Sequence, residues 1–576
     1  MNRIKKGFIF LIVIAVALFF CYKYVIPKII NLLAKDTFTL SQNEPVLGTY
    51  YLNNFDSTDS LKTIRQCTVK WNAPNNSFSY ASGLKALLDS GAPLLITLEV
   101  WPNAANRLKQ ENILETIVMG DFDKKILSLC DLLKNYPQSI LLRLNPEMEV
   151  YVKRYPWQMQ SSELYIKSFR HIADIIKINA ASVKMVWAPA GYPGADEYWP
   201  GNKWVDYIST TLRSHSESMT TDYPFEKSLT ELIKRKLIRL RFFDKPVILL
   251  GSEYLKNEKF TQQNLDTAAQ YLQQNKEIVY KDLNAADKLK DTSLLLKNDV
   301  VITGVYDPGN KLVENKLIAV EHVFVNLHDL QDGNFVKEFS AAIARKHDVI
   351  VTMEPWKDKH LQKDPELMQH ILEGMYDKPI NEMVSIITKT DKKIYLRWLH
   401  EMEIPITRYP WQSQDPVMYI KAYRYFVNLV RQKNATNIFY VWGPAGDRGS
   451  MEFWPGSDVV DFISMAIYGL PDKNITDHKK QESFNTIFNR KYNRLRFAGK
   501  PLFITEFGVK GPEDYKQNWM KAAAESIIKN KEIIGINYFN YADSPKTWGD
   551  IEAPDWSITT ETFEGFLKKL SGKTDK

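Results

Sequence analysis

The chain repeats itself. Val186-Trp187-Ala188-Pro189-Ala190-Gly191 returns as Val441-Trp442-Gly443-Pro444-Ala445-Gly446, each residue 255 positions later. Trp199-Pro200-Gly201 returns as Trp454-Pro455-Gly456, Asp206-Tyr207-Ile208-Ser209 as Asp461-Phe462-Ile463-Ser464, and Lys245-Pro246 as Lys500-Pro501, all at the same offset. Arg154-Tyr155-Pro156-Trp157-Gln158 matches Arg408-Tyr409-Pro410-Trp411-Gln412 at 254, and Gly48-Thr49-Tyr50 matches Gly304-Val305-Tyr306 at 256. So small a drift leaves room only for short insertions. Solenoid units run roughly 20–50 residues, so the repeat reads as a whole domain copied once.

A copy of this size suits a barrel of eight strands and eight helices, about 250 residues. In the second copy the strands are expected at Val301–Tyr306, Val323–Leu327, Val349–Glu354, Ile394–His400, Ile438–Trp442, Asp461–Ile467, Leu502–Glu506 and Ile533–Tyr538. Between them Phe335–Lys346, Met383–Lys389, Met418–Gln432 and Tyr515–Ile528 carry apolar residues at helical spacing. No GxGxxG follows the first strand, which argues against a dinucleotide fold. The expected architecture is therefore α/β: two tandem (β/α)8 TIM barrels, residues 40–284 and 299–572, after an N-terminal transmembrane helix within residues 1–30. Ala285 to Asn298, rich in Lys, Asp and Leu without Gly or Pro, reads as a short ordered connection.

The N-terminal expectation rests on Met1–Lys6, which is basic, and on Gly7–Tyr22, which is almost wholly apolar and is extended past Lys23 by Tyr24–Ile26. A helix needs roughly 17–25 apolar residues to cross a bilayer, and Lys23 can snorkel. An uncleaved signal anchor with a cytoplasmic N-terminus is expected, a cleaved signal peptide being the alternative. The formal charge of +7 is small, and Lys and Arg are interspersed with acids. No nucleic-acid partner is expected. Cys67 and Cys130 are open to a disulfide or to burial as free thiols, and no Cys/His cluster suggests a metal or other cofactor.

In a (β/α)8 barrel, chemistry collects where the strands end. The second copy puts Tyr306 at the end of strand one, Glu354 and Trp356 at strand three, and Arg397, His400 and Glu401 at strand four, with Trp411 in the loop beyond. Tyr468 follows strand six, Glu506 ends strand seven and Trp548 follows strand eight. This is a ring of acids and aromatics. Hydrolysis of a glycosidic bond needs two carboxyl groups, one protonated and one ionised, about 5–5.5 Å apart when configuration is retained. Glu401 and Glu506 fit that pair. The alternative is that both are structural acids paired with Arg397 or Arg408.

The motifs Arg397…His400-Glu401-Met402…Tyr409-Pro410-Trp411 and Ile504-Thr505-Glu506-Phe507-Gly508 resemble glycoside hydrolase family 26. Gly304-Val305-Tyr306, Glu354-Pro355-Trp356, Gly374-Met375-Tyr376-Asp377, Tyr419…Arg424 and Trp454-Pro455-Gly456…Val460-Asp461 extend the likeness over nearly the whole second copy. The resemblance implies a retaining β-glycanase without a cofactor, acting on β-mannan or on β-1,3-1,4- or β-1,4-glucan. It implies Glu401 as acid/base and Glu506 as nucleophile, with His400 before the acid. The ring at the strand ends adds Arg397, Trp356, Glu354, Trp411, Tyr468, Trp548 and Tyr306 as candidate substrate contacts. One departure is the continuation Glu403-Ile404-Pro405, where the family usually has Asn-Gly and then an aromatic.

The first copy keeps Glu147 in Arg143-Leu144-Asn145-Pro146-Glu147-Met148-Glu149, but Pro146 stands where the second copy has His400. Gly251 stands at the position of Glu506, and the nearest acid, Glu253, is two residues on, about 6–7 Å along a strand. The first copy is therefore expected to be degenerate, either binding glycan or only structural. The rival for the whole chain is a membrane-anchored, non-catalytic glycan-binding or polysaccharide-export scaffold.

Overall fold

The computed structural model describes residues 13–26, 36–41, 45–50, 62–72, 81–102, 112–152, 154–212, 228–243, 245–251, 261–279, 301–356, 362–404, 408–412, 414–469, 482–543 and 553–572. They form two compact units, one reaching to Gln274 and one starting at Asn275. The Ala285–Asn298 connection lies outside the described residues. Residues 13–26 are helical, with a π-helical stretch at Cys21–Val25. Residues 1–12 of the expected anchor lie outside the description. No helix among the described residues is long and apolar enough to cross a membrane.

The first unit contains β1 (Thr37–Ser41), β2 (Pro45–Tyr50), β3 (Lys62–Thr63), β4 (Arg65–Trp71), β5 (Leu94–Val100), β6 (Ile140–Leu144), β7 (Lys184–Trp187), β8 (Tyr207–Leu212) and β9 (Val247–Gly251). They make one sheet in the order β1-β4-β5-β6-β7-β8-β9-β2-β3. β4 to β9 are parallel, as expected of a barrel half. The expected full barrel is not what forms among the described residues. β2, which holds the Gly48-Thr49-Tyr50 counterpart of a first barrel strand, runs antiparallel to β9, and its register slips between Val46 and Thr49. Antiparallel β1 covers the opposite edge, on β4. The described part of the eighth-strand segment, Lys276–Val279, is helical and groups with the second unit. A curled sheet with antiparallel flanks replaces the closed cylinder. Cys67 and Cys130 are buried free thiols.

The second unit contains β10 (Ile302–Tyr306), β11 (Val320–Val325), β12 (Asp348–Met353), β13 (Ile394–Trp398), β14 (Ile438–Trp442), β15 (Phe462–Ile463), β16 (Ala466–Gly469), β17 (Leu502–Val509) and β18 (Ile533–Phe539). All pairings are parallel, β10 lies against β18, and β15 and β16 both lie along β17. β15 and β16 are thus halves of one sixth strand, and the sheet closes as an eight-stranded barrel. Strands covered on both faces read as near-continuous apolar runs, which is why this set was visible in the sequence. Val320, Ile350, Tyr395, Val441 and Phe503 pack together inside the cylinder. Gly304 faces the same interior: a Cβ there would stand 2.7 Å from Asn537 Oδ1.

Helices Asn334–Ala344, Asp377–Ile387, Pro416–Arg431 and Glu513–Lys529 occupy the expected intervals. Pro416 at a first helical position is preset for the helix, and Asp415 accepts from the amides of Val417 and Met418 at 2.8 and 3.0 Å. The expected strand Val323–Leu327 is displaced toward the N-terminus. Asn326 and Asp329 exchange side chain–backbone hydrogen bonds at 3.0 and 3.3 Å, so a helix begins at Leu327 and ends the strand early.

Candidate active site

β13 ends at Trp398, and the chain then passes through two non-glycine residues with left-handed backbone, Leu399 at φ 48° and Glu401 at φ 55°. Such positions cost about 1–3 kcal/mol each and persist only where the surroundings over-determine them. Here they do. The Glu401 amide donates to Gly443 O at 2.8 Å, and Trp411 Nε1 donates to His400 O at 2.7 Å. Gln412 Nε2 donates to Glu401 O at 3.1 Å, and the Tyr419 hydroxyl to Leu399 O at 3.2 Å. The kink holds the Glu401 side chain at the barrel mouth.

Glu506 lies within β17. Its Oε2 accepts from the Tyr468 hydroxyl at 2.9 Å, and its Oε1 accepts from Arg397 Nη2. Arg397 is buried and held in turn. Its Nε donates to Thr352 Oγ1 at 2.8 Å and its Nη1 to Thr505 Oγ1 at 3.0 Å. Thr505 Oγ1 shares a further hydrogen bond with Ser464 Oγ at 2.6 Å. Both oxygens of Glu506 are therefore engaged by donors, as befits an acceptor-only carboxylate.

The charges diverge from there. Burial pushes the Glu401 carboxyl up to about 8, the negative charge of Glu506 adds to the shift, and Arg408 opposes both. Burial beside a second negative charge is how a carboxyl is kept protonated. Glu354 is pushed up to about 7, mainly by burial, and its Oε2 accepts from Trp356 Nε1 at 3.0 Å. His400 is held neutral by burial and then by the charge of Arg397, and its Nε2 lies 3.6 Å from Glu354 Oε1. Tyr306 stacks on Phe539 at 4.8 Å and lies edge-on to His322 at 5.8 Å.

The structure therefore brings Glu401, Glu506, Arg397, Tyr468, Glu354, Trp356, His400 and Tyr306 to one end of the barrel. Trp411, expected against sugar, is fully buried. It supports Tyr409, which stacks on it at 4.6 Å and 4°. An indole that donates to the His400 carbonyl serves the kink from below. Arg397 likewise sits behind Glu506, without open surface of its own. Trp548 lies outside the described residues.

Sequence reasoning missed the Thr352, Ser464 and Thr505 hydroxyls around Arg397. It also left Glu403 unexplained. Glu403 is buried, and its Oε1 accepts from the amides of Gly446 and Asp447 at 2.9 and 3.0 Å and from Ser450 Oγ at 2.7 Å. It ties the loop after β14 to the turn that carries Glu401. The repeat held the clue: Glu149 of the first unit accepts from the Tyr192 amide at 3.1 Å in the same way. Among the described residues no group of three or more His, Cys, Asp or Glu is placed to hold a metal ion.

Residues 353–541, which hold Glu354, Glu401 and Glu506, match the model of glycosyl hydrolase family 26. The match lies within the second unit. Endoglucanase H of Acetivibrio thermocellus is 26% identical over 227 residues, which are 37% of this chain and 24% of that protein. A β-1,3-xylanase of a Vibrio species is 24% identical over 202 residues, 31% of this chain and 42% of that one. The chain thus spans less than half the length of these relatives. Among solved structures, the catalytic domain of a family 26 endo-β-1,4-mannanase from Bacillus sp. JAMB-750 aligns at 16% identity and a TM-score of 0.37, covering 49% of this chain and 88% of that one.

Proposed function

We propose that the family 26 segment is a retaining glycoside hydrolase of β-linked polysaccharides, with Glu401 as acid/base and Glu506 as nucleophile. The observation that carries this reading is the asymmetry of the two acids. Glu401 is raised to about 8 beside Glu506, whose oxygens accept from Arg397 and Tyr468. Glu401 protonates the leaving oxygen while Glu506 attacks the anomeric carbon. Glu401 then takes a proton from the water that releases the sugar. Glu354, Tyr409 and Tyr306 line the approach, and buried Trp356 backs Glu354. The glycan class is β-mannan or β-1,3-1,4- or β-1,4-glucan by motif, and the xylanase relatives add β-xylan.

The test is release of reducing ends from mannan, mixed-linkage glucan, soluble cellulose, β-1,4-xylan and β-1,3-xylan by the chain and by Glu506→Ala. Hydrolysis of one glycan by the parent and none by the variant is expected. Equal rates in the two would sink the assignment of Glu506. Proton NMR of the first product should show the β-anomer.

We further infer that the first unit descends from the same ancestor and has lost catalysis, and that the apolar stretch near residues 7–26 anchors the chain with both units outside the cytoplasm. The support is sequence offset and charge pattern, respectively. Fractionation of membranes, followed by protease treatment of intact cells, tests the second point.

A further inference from the structure

Among the described residues, the first unit keeps the supporting half of the site and lacks the reacting half. Asn145 and Glu147 repeat the left-handed turn at φ 39° and 60°. The Glu147 amide donates to Ala188 O at 2.8 Å, Trp157 Nε1 to Pro146 O at 2.8 Å, and Gln158 Nε2 to Glu147 O at 2.8 Å. Trp101 Nε1 donates to Glu99 Oε2 at 2.8 Å, as Trp356 does to Glu354. Tyr155 stacks on buried Trp157 at 4.8 Å and 7°, and Trp101 lies edge-on to Tyr155 at 6.0 Å. Trp101 and Tyr155 both remain partly exposed.

The reacting half differs at three points. β9 ends at Gly251 without a carboxylate, and Glu253 lies outside the described residues. Thr211 replaces Ala466, and its hydroxyl accepts from Arg143 Nη2 at 2.9 Å, where the corresponding Arg397 nitrogen donates to Glu506. Ala188 replaces Gly443, where a Cβ in the second unit would stand 2.7 Å from Arg397 Cδ.

Among the described residues, the acids Glu99 and Glu147 at the mouth each face a base. Lys70, where the second unit has Asn326, lies 3.6 Å from Glu99 and 4.5 Å from the centre of the Trp101 ring. Arg154 lies 3.8 Å from Glu147. Two acids and two bases cancel, leaving polar atoms beside aromatic surface, which is the make-up of a site for an uncharged polyhydroxyl ligand.

We propose that the Trp101–Tyr155–Glu99–Glu147 surface of the first unit binds an uncharged β-linked glycan chain without cleaving it. This rests on the reading of the second unit as a glycan site. Its test is calorimetric titration of the full chain bearing Glu506→Ala with mannohexaose, cellohexaose and xylohexaose. Two sites per chain are expected for at least one sugar. Trp101→Ala should remove one site, weakening it about tenfold or more, and Trp356→Ala should weaken the other. Trp101→Phe, which keeps an aromatic face and controls for folding, should retain both. A single site that ignores Trp101→Ala, or no binding at all, overturns the proposal. Hydrolysis by the parent chain is a separate readout. If hydrolysis is absent while binding sensitive to Trp101 persists, the catalytic reading fails and this one stands.

Discussion

The Tyr468 hydroxyl donates to Glu506 Oε2 at 2.9 Å, from the strand beside the one that carries the acid. Burial and the charge of Glu506 hold that phenol well above its ordinary range, so it remains a donor at any working pH. A hydrogen bond to a charged group contributes about 1.5–3 kcal/mol, which corresponds to a factor of about 10–100 in rate when it orients a nucleophile. Tyr468→Phe should lower kcat by that factor with KM nearly unchanged. A variant that changed KM alone would place Tyr468 on the sugar instead.

In the proposed reaction Glu401 must carry a proton to act as acid, and burial and the charge of Glu506 push its carboxyl up to about 8. The alkaline limb of kcat/KM is therefore expected about there, where an ordinary glutamate near 4.3 would have shut the reaction down well below neutrality. Glu401→Gln should lower activity on unactivated glycans by about 10²–10⁴-fold and remove that limb. On an aryl glycoside with a good leaving group the first step should be largely spared, so a burst of phenol release is expected in the variant.

The same shift governs stability, with a definite sign. Between about 4.3 and 8 the folded chain holds a proton on Glu401 that the unfolded chain has lost. Glu401 therefore costs the fold stability progressively as pH rises through that window. Glu401→Gln should match the parent near pH 4 and melt higher at pH 9, by about 2–4 °C for each kcal/mol relieved. Melting curves for both proteins at pH 4, 6 and 9 decide this, and a variant less stable at pH 9 would contradict it.

Which parts could be read in advance follows from the same physics. The second barrel was legible because parallel strands buried on both faces are short apolar runs, and Ile438–Trp442 needed no adjustment at all. The sixth strand was read as one piece because nothing in Asp461–Ile467 announces the break between Ile463 and Ala466. The first unit misled because the apolar residues of a short strand carry no direction, so the reversed run of Pro45–Tyr50 was invisible. At the site, carboxylates announced themselves by breaking apolar runs, although β17 continues past Glu506 to Val509. The hydroxyls of Thr352, Ser464 and Thr505 did not, because a threonine inside a strand reads as ordinary β-branched filling until an arginine is found reaching it.

Gly443 and Ala188, at matching places in the two units, differ by one methyl group. The Gly443 carbonyl accepts the Glu401 amide at 2.8 Å, and Ala188 does the same for Glu147. The backbone role is thus open to alanine. The space is not: a Cβ on Gly443 would lie 2.7 Å from Arg397 Cδ, 3.1 Å from its Cγ and 3.4 Å from His400 Cβ. Arg397 would have to move away from Glu506, while the kink that carries Glu401 kept its carbonyl acceptor. Gly443→Ala should therefore destabilise the second unit by only about 1–3 kcal/mol while reducing kcat by more than tenfold. The reverse change, Ala188→Gly in the first unit, should leave hydrolysis by the second unchanged. Melting curves and glycan hydrolysis measured side by side test the separation. A Gly443→Ala protein with full activity would show that Arg397 does not position the nucleophile.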